Sequence, residues 1–101
     1  MTRWQYSAGY TNEFDELIEV LQSYDLPFMM RFEKGRATMK DEPQINDEVW
    51  ISSRAKLIAK GIIRQGFHMH NNALFAIIEI SEIVYDQPKI QTYRRNWIKI
   101  G

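Results

Sequence analysis

Gln44-Ile45-Asn46-Asp47-Glu48-Val49-Trp50-Ile51, followed after Ser52-Ser53-Arg54 by Ala55-Lys56-Leu57-Ile58-Ala59-Lys60-Gly61-Ile62-Ile63, is the stretch from which the fold can be read. Asn46-Asp47 is a turn signal, because both side chains hydrogen-bond nearby backbone and tolerate bends. The run behind it is rich in residues that suit a pleated strand. Ser52-Ser53-Arg54 breaks the run, and the second run is longer and carries Gly61 in its middle. Two such runs about a short polar break predict a β-hairpin. A glycine inside a strand marks a bend or the close approach of another backbone.

Towards the N-terminus, Arg3–Ala8 alternates, with Trp4, Tyr6 and Ala8 on one face and Arg3, Gln5 and Ser7 on the other. That pattern predicts a short strand. Gly9-Tyr10-Thr11-Asn12 turns the chain into a helix that Thr11 or Asn12 caps, with Glu13, Asp15 and Glu16 at the positive end of its dipole. Phe14, Leu17, Ile18 and Leu21 form its apolar stripe, and Asp25-Leu26-Pro27 stops it near Tyr24. Phe28–Glu33 reads as a strand, Lys34-Gly35-Arg36 as a turn and Met39–Pro43 as an exposed, charged loop.

Beyond the hairpin, Gln65–Asn72 reads as a loop or a twisted strand end. Ala73–Tyr85 is the longest apolar run. Ala73, Ile77, Ile80 and Val84 have rough helical spacing, but four isoleucines and a valine favour a strand. Asp86-Gln87-Pro88 is a turn, and Thr92–Ile100 the last strand. The order β–α–β–β–β–β–β predicts an α+β chain: a small, strongly bent mixed β-sheet or barrel of five to six strands with one N-terminal helix. No linker or repeat interrupts residues 1–101, so a single domain is expected.

Composition narrows the function. Zero cysteines exclude a disulfide framework, a thiolate metal site and a cysteine nucleophile. No apolar run is long enough to span a membrane and Met1-Thr2-Arg3-Trp4 lacks a secretory pattern, so a cytoplasmic protein is expected. The formal net charge of zero hides an asymmetry: residues 1–25 carry one basic and five acidic side chains, and residues 26–101 twelve and eight. An acidic helix beside a mildly basic β-region argues against strong nonspecific nucleic-acid binding, which needs many phosphate contacts, and leaves room for a local site.

Three pieces in this order resemble the PUA-like superfamily, most closely its EVE-type domains, with ASCH and YTH domains as relatives. Asn46-Asp47-Glu48-Val49-Trp50-Ile51 is similar to that family's turn and strand, with Asn46 where glycine is usual. Leu57-Ile58-Ala59-Lys60-Gly61-Ile62-Ile63 resembles the next strand. Ile78–Tyr85 and Tyr93-Arg94-Arg95-Asn96-Trp97-Ile98 resemble the following pair, and Trp4-Gln5-Tyr6-Ser7 the first strand, which leads into the pocket. The resemblance covers residues 44–100 and, more weakly, 3–8. It implies a barrel with a pocket for a nucleobase, often a modified one, in DNA or RNA. EVE-type domains continue well past the Arg-Arg strand, which implies a shortened fold or a barrel wall supplied by a partner, a second copy in a homodimer included.

The residues themselves offer a matching constellation. A base site needs a flat apolar wall for stacking and polar groups for the base edge. Trp4, Tyr6, Trp50 and Trp97 are the stacking candidates, and Ser7 and Asn12 the edge readers. A small barrel also needs bulky filling, so each aromatic has a core reading. Trp97 is expected to be the exposed one, because Arg95 and Lys99 share its face and would otherwise be buried charges. Arg94, Arg95 and Lys60 are the phosphate-binding candidates. Arg31, Lys34, Arg36 and Lys40 surround one turn. Lys56, Lys60 and Arg64 recur along one face, where they would also protect an edge strand from aggregation. His68-Met69-His70 lacks a third ligand nearby, so neither a metal nor a cofactor is expected. Glu79 with Glu82 and Asp41 with Glu42 have no catalytic spacing, and no phosphate loop or nucleophile motif occurs. The expected function is therefore a non-enzymatic module that binds nucleic acid or a nucleotide. The alternative is a small regulatory or phage counter-defence protein that binds another protein through the acidic face of Glu13, Asp15, Glu16 and Glu19 or through an exposed sheet edge.

Overall fold

The hairpin turns on Arg54-Ala55. Ser53 pairs with Lys56, and the two residues between them have φ of 46° and 61°, the left-handed geometry that matches strand twist in a two-residue turn. Ser52 and Ser53, expected in the break, belong to the strand instead. The computed structural model describes residues 2–8, 13–35, 39–91, 93 and 95–101, with the backbone alone for 13–17. Its elements are β1 (Arg3–Ala8), α1 (Glu13–Ser23), β2 (Phe28–Glu33), β3 (Glu48–Ser53), β4 (Lys56–His70), β5 (Ala73–Ile83) and β6 (Trp97–Lys99). They form one mixed six-stranded sheet in the order β2-β5-β4-β3-β1-β6. β1 runs parallel to β3, and the other neighbouring pairs are antiparallel.

β4 runs through most of the segment expected to be a loop or a twisted strand end. It ends at a second two-residue turn, Asn71-Asn72, with φ of 49° and 67°. Asparagine adopts this region more readily than most residues, so the polar residues after Gly66 mark the end of a hairpin. Straight, fifteen residues would reach about 46 Å, yet the longest dimension of the molecule is 32 Å. The strand therefore bends, with irregular register at Lys60/Gly61, Ile63/Gln65 and Gln65/His68. At Gly61 a Cβ would stand 2.5 Å from the Glu79 carbonyl oxygen and 2.6 Å from Ile78 Cγ2. Close approach of β5 is what requires glycine there.

The bend curls the sheet until distant strands meet on its inner face. Tyr6 of β1 lies 5.1 Å from Phe32 of β2, and Phe67 of β4 lies 5.4 Å from Trp97 of β6, ring centre to ring centre. Around them pack Trp4, Leu21, Val49, Ile51, Ile58, Ile63, Ala76, Ile78 and Ile80, all buried. The expected barrel is corrected to an open sheet: β2 and β6 are its two edges and share no ladder. The Trp97 indole crosses the gap instead, its Nε1 donating to the Glu33 carbonyl at 3.1 Å. β6 has only three residues, too few for an edge strand to complete the closure. β4 lies inside the sheet, so Lys56, Lys60 and Arg64 do not guard an edge; Lys60 and Arg64 pair with Glu82 and Glu79 across the ladder. No helix among the described residues is long and apolar enough to cross a membrane.

Candidate functional site

Strand alternation divides the sequence-predicted residues between two faces. Trp4 pairs with Val49 and Tyr6 with Ile51, which places both aromatics on the inner face. The turn before β3 fixes Trp4. Asn46 takes the left-handed φ of 77°, and buried Asp47 accepts hydrogen bonds at Oδ2 from Trp4 Nε1 (3.0 Å) and from the Gln44 amide (2.9 Å). Tyr6 is wedged edge-on between Phe32 and Trp97, each 5.1 Å away. Trp97 is 1% exposed, which corrects the expectation of a solvent-facing ring. Its neighbours in sequence escape burial because β6 lies at the mouth of the curl, where Lys99 reaches solvent while Trp97 points inward.

At that mouth a cleft of about 380 Å³ is lined by Trp4, Met39, Lys40, Asp41, Arg95, Trp97, Ile98 and Lys99. This size lies at the small end for ligand pockets. The two indoles, Met39 and Ile98 supply an apolar floor and wall, and Lys40, Arg95 and Lys99 the cationic rim. Lys99 Nζ meets Asp41 Oδ2 at 3.4 Å. This pair borders a second depression of about 230 Å³, lined by Thr2, Trp4, Asp41, Glu42, Gln44, Asp47 and Lys99. The arrangement can hold an anionic group on the rim beside an apolar body. Trp4, Trp97 and Arg95 thus converge. Lys40, Asp41 and Lys99 complete the site, and their part in it was not legible: a charged loop reads as solvated until the sheet curls beneath it.

The outer face carries a different cluster. Trp50 has Arg3 Cζ at 4.7 Å and Lys60 Nζ at 5.0 Å from its ring centre. Its Nε1 donates to Glu48 Oε1 at 2.7 Å, and Arg3 Nε bonds Glu48 Oε2 at 3.1 Å. The Trp50 hydrogen bond, with the bond and charge of Arg3 and the charge of Lys60, holds the Glu48 carboxyl below its usual range against the opposing effect of partial burial. Ser7 also lies on this face, its Oγ 3.3 Å from that of Ser52, which in turn bonds buried Gln5 at 3.1 Å. Trp50, Lys60 and Ser7 therefore do not join the cleft.

Asn12 and Arg94 lie outside the described residues, as do Arg36, the Thr11 cap and the side chains of Glu13, Asp15 and Glu16. Lys34 stands 5.8 Å from the Phe67 ring centre, and His68 Nδ1 lies 2.9 Å from the Gly66 carbonyl oxygen. Among the described residues no three or more His, Asp or Glu side chains gather as metal ligands. The search of family models, of curated proteins and of solved structures found no match to this chain.

Proposed function

We propose that this chain is a nucleic-acid or nucleotide binding module related to PUA-like, EVE-type domains, and that its binding site is the Trp4–Trp97 cleft. The observation that carries the reading is that Trp4, Trp97 and Arg95, selected from sequence for base and phosphate binding, line one cleft together with Lys40 and Lys99. In this reading a base enters against Met39 and Ile98, over a floor backed by the two buried indoles, and phosphate oxygens accept charge-assisted hydrogen bonds from the cations. The left-handed Asn46, where relatives of this type have glycine, is compatible with that relationship. Full-face stacking on Trp4 or Trp97 is not part of the proposal, because both rings are buried.

The test is a calorimetric titration of wild type and the Arg95→Ala/Lys99→Ala double variant with mononucleotides and short oligonucleotides, modified and unmodified, at low and moderate salt. Wild type should bind, and the variant should bind at least about tenfold more weakly, as expected for lost charge-assisted bonds. Absence of binding to every probe at low salt would sink the reading.

A second reading has its own observation. Tyr24 and Met29, each 60% exposed, and Leu26, 44% exposed, lead into the edge strand β2. Exposed apolar groups at an edge strand suit a protein partner, as in a regulatory or phage counter-defence protein. Sedimentation of wild type and Met29→Glu addresses self-association through this edge: a concentration-dependent mass that the substitution abolishes would favour it.

A further inference from the structure

We infer that Asp41 gates this cleft: its carboxylate occupies the Lys99 ammonium until a ligand phosphate displaces it. This rests on nucleotide binding at the cleft as proposed above. The two partners come from distant parts of the chain, and each is held from behind. Lys99, the last residue of β6, pairs with Trp4, which is buried and bonded through Nε1 to Asp47. The stem of Lys99 therefore starts from a fixed point, and its flexible four-carbon chain leaves the ammonium able to move. Asp41 stands on the crest of loop 39–43. Met39 packs against the core and Pro43 is fully buried, so the crest is pinned at both ends, with Lys40, Asp41 and Glu42 exposed between them. Asp41 Oδ2 and Lys99 Nζ meet at 3.4 Å, joining the loop to the strand.

Both members of the pair line the cleft. A phosphate bound there seeks the Lys99 ammonium, and the Asp41 carboxylate is the anion already on it. The contact is longer than the about 2.7–2.9 Å of a strong charge-assisted hydrogen bond, and the Asp41 and Lys99 side chains are 66% and 52% exposed. Such a pair is weak, and Asp41, when released, turns to solvent that it already meets. A phosphate returns to Lys99 what it loses, through more charge and more acceptor oxygens. An uncharged ligand offers no such exchange and leaves the pair made. The gate therefore favours anionic ligands, and lowers the affinity for each by the strength of the pair it must break.

The experiment is a double-mutant cycle read by calorimetry, titrating a nucleoside monophosphate at low salt into wild type, Asp41→Asn, Lys99→Met and the variant carrying both changes. Asp41→Asn should tighten binding about two- to fivefold, the range expected when an exposed pair no longer has to break. In the Lys99→Met background the same substitution should gain clearly less, because no ammonium is left to release. Glu42→Gln removes the next carboxylate on the crest and should also gain less than Asp41→Asn. No gain from Asp41→Asn, or equal gains with and without Lys99, overturns the gate while nucleotide binding stands; so does an equal gain from Glu42→Gln, which would mark a general effect of charge. Failure of wild type and Asp41→Asn alike to bind overturns both the gate and the reading beneath it.

Discussion

Gly61→Ala is expected to destabilise the protein by about 2 kcal/mol. The added Cβ would meet the Glu79 carbonyl oxygen at 2.5 Å, Ile78 Cγ2 at 2.6 Å and the Glu79 carbonyl carbon at 3.2 Å. Comfortable carbon contacts lie at about 3.5–4.0 Å, so β4 and β5 must separate by roughly an ångström where Gly61 pairs with Ile80. Overpacking of this kind costs about 1–3 kcal/mol, and backbone cannot swing aside as a side-chain tip would, which argues for the upper part of that range. Alanine's smaller entropy loss on folding returns about 0.5–1 kcal/mol. Urea denaturation followed by circular dichroism should show a midpoint lower by about 1–1.5 M for a slope near 1.5 kcal/mol/M, with a thermal midpoint lower by about 8–16 °C. Gly66→Ala is the internal control. It lies on the same strand but meets only the Pro43 carbonyl oxygen, at 3.2 Å, and should change stability by less than about 1 kcal/mol. A Gly61→Ala protein as stable as wild type, or no less stable than Gly66→Ala, would refute the close packing of β4 on β5 and the reason given for the bend.

Trp97→Phe keeps most of the apolar filling but removes the donor to the Glu33 carbonyl, and should cost about 1–3 kcal/mol in urea denaturation; Trp97→Ala should cost about 3–5 kcal/mol, and a near-neutral alanine would refute its place in the core. Ala55→Gly, at a turn position with φ of 61°, should stabilise by about 0.5–1 kcal/mol because alanine pays a steric cost there; a thermal midpoint below wild type would count against that turn geometry. Glu48 titrates below its usual range when folded, so its contribution to stability is present above the unfolded-state value of about 4.3 and is lost as pH falls through the lower folded value. The stability difference between wild type and Glu48→Gln should therefore be constant near neutrality and shrink in that acid window; a difference that grows as pH falls would contradict the hydrogen bonds that Trp50 and Arg3 donate to Glu48.

Local chemistry carried the strand order a long way. β1 and β2 occupy the residue ranges expected of them, because alternation and aromatic content act within a few residues. Ala73–Ile83 is a strand, as its isoleucines favour over the helical spacing. Errors arose where a residue's fate depends on distant chain. Gln65–Asn72, polar and with a glycine, reads as a loop or a twisted strand end, and only pairing with β5 decides that β4 continues to His70. Thr92–Ile100 reads as one strand, and among the described residues of that stretch only Trp97–Lys99 form β6. The cleft was half legible: tryptophan and arginine are recognisable recognition residues anywhere, but Lys40, Asp41 and Lys99 acquire a shared role only when loop 39–43 and β6 meet.

By itself, the sequence determined a β-rich chain turning at Asn46-Asp47, with a glycine where its longest strand must bend. The faces of β1 were also written in its alternation, since successive side chains must point to opposite sides of a strand. Tertiary structure decided the rest. Irregular register along β4 curls the sheet far enough for Tyr6 to meet Phe32, but β6 is too short to close it. The same curl buries Trp97, converting an expected ligand-facing ring into a brace between two edges, and gathers Arg95, Lys40 and Lys99 at its mouth. Curvature sums small backbone deviations over many residues, and no local pattern of side chains specifies that sum.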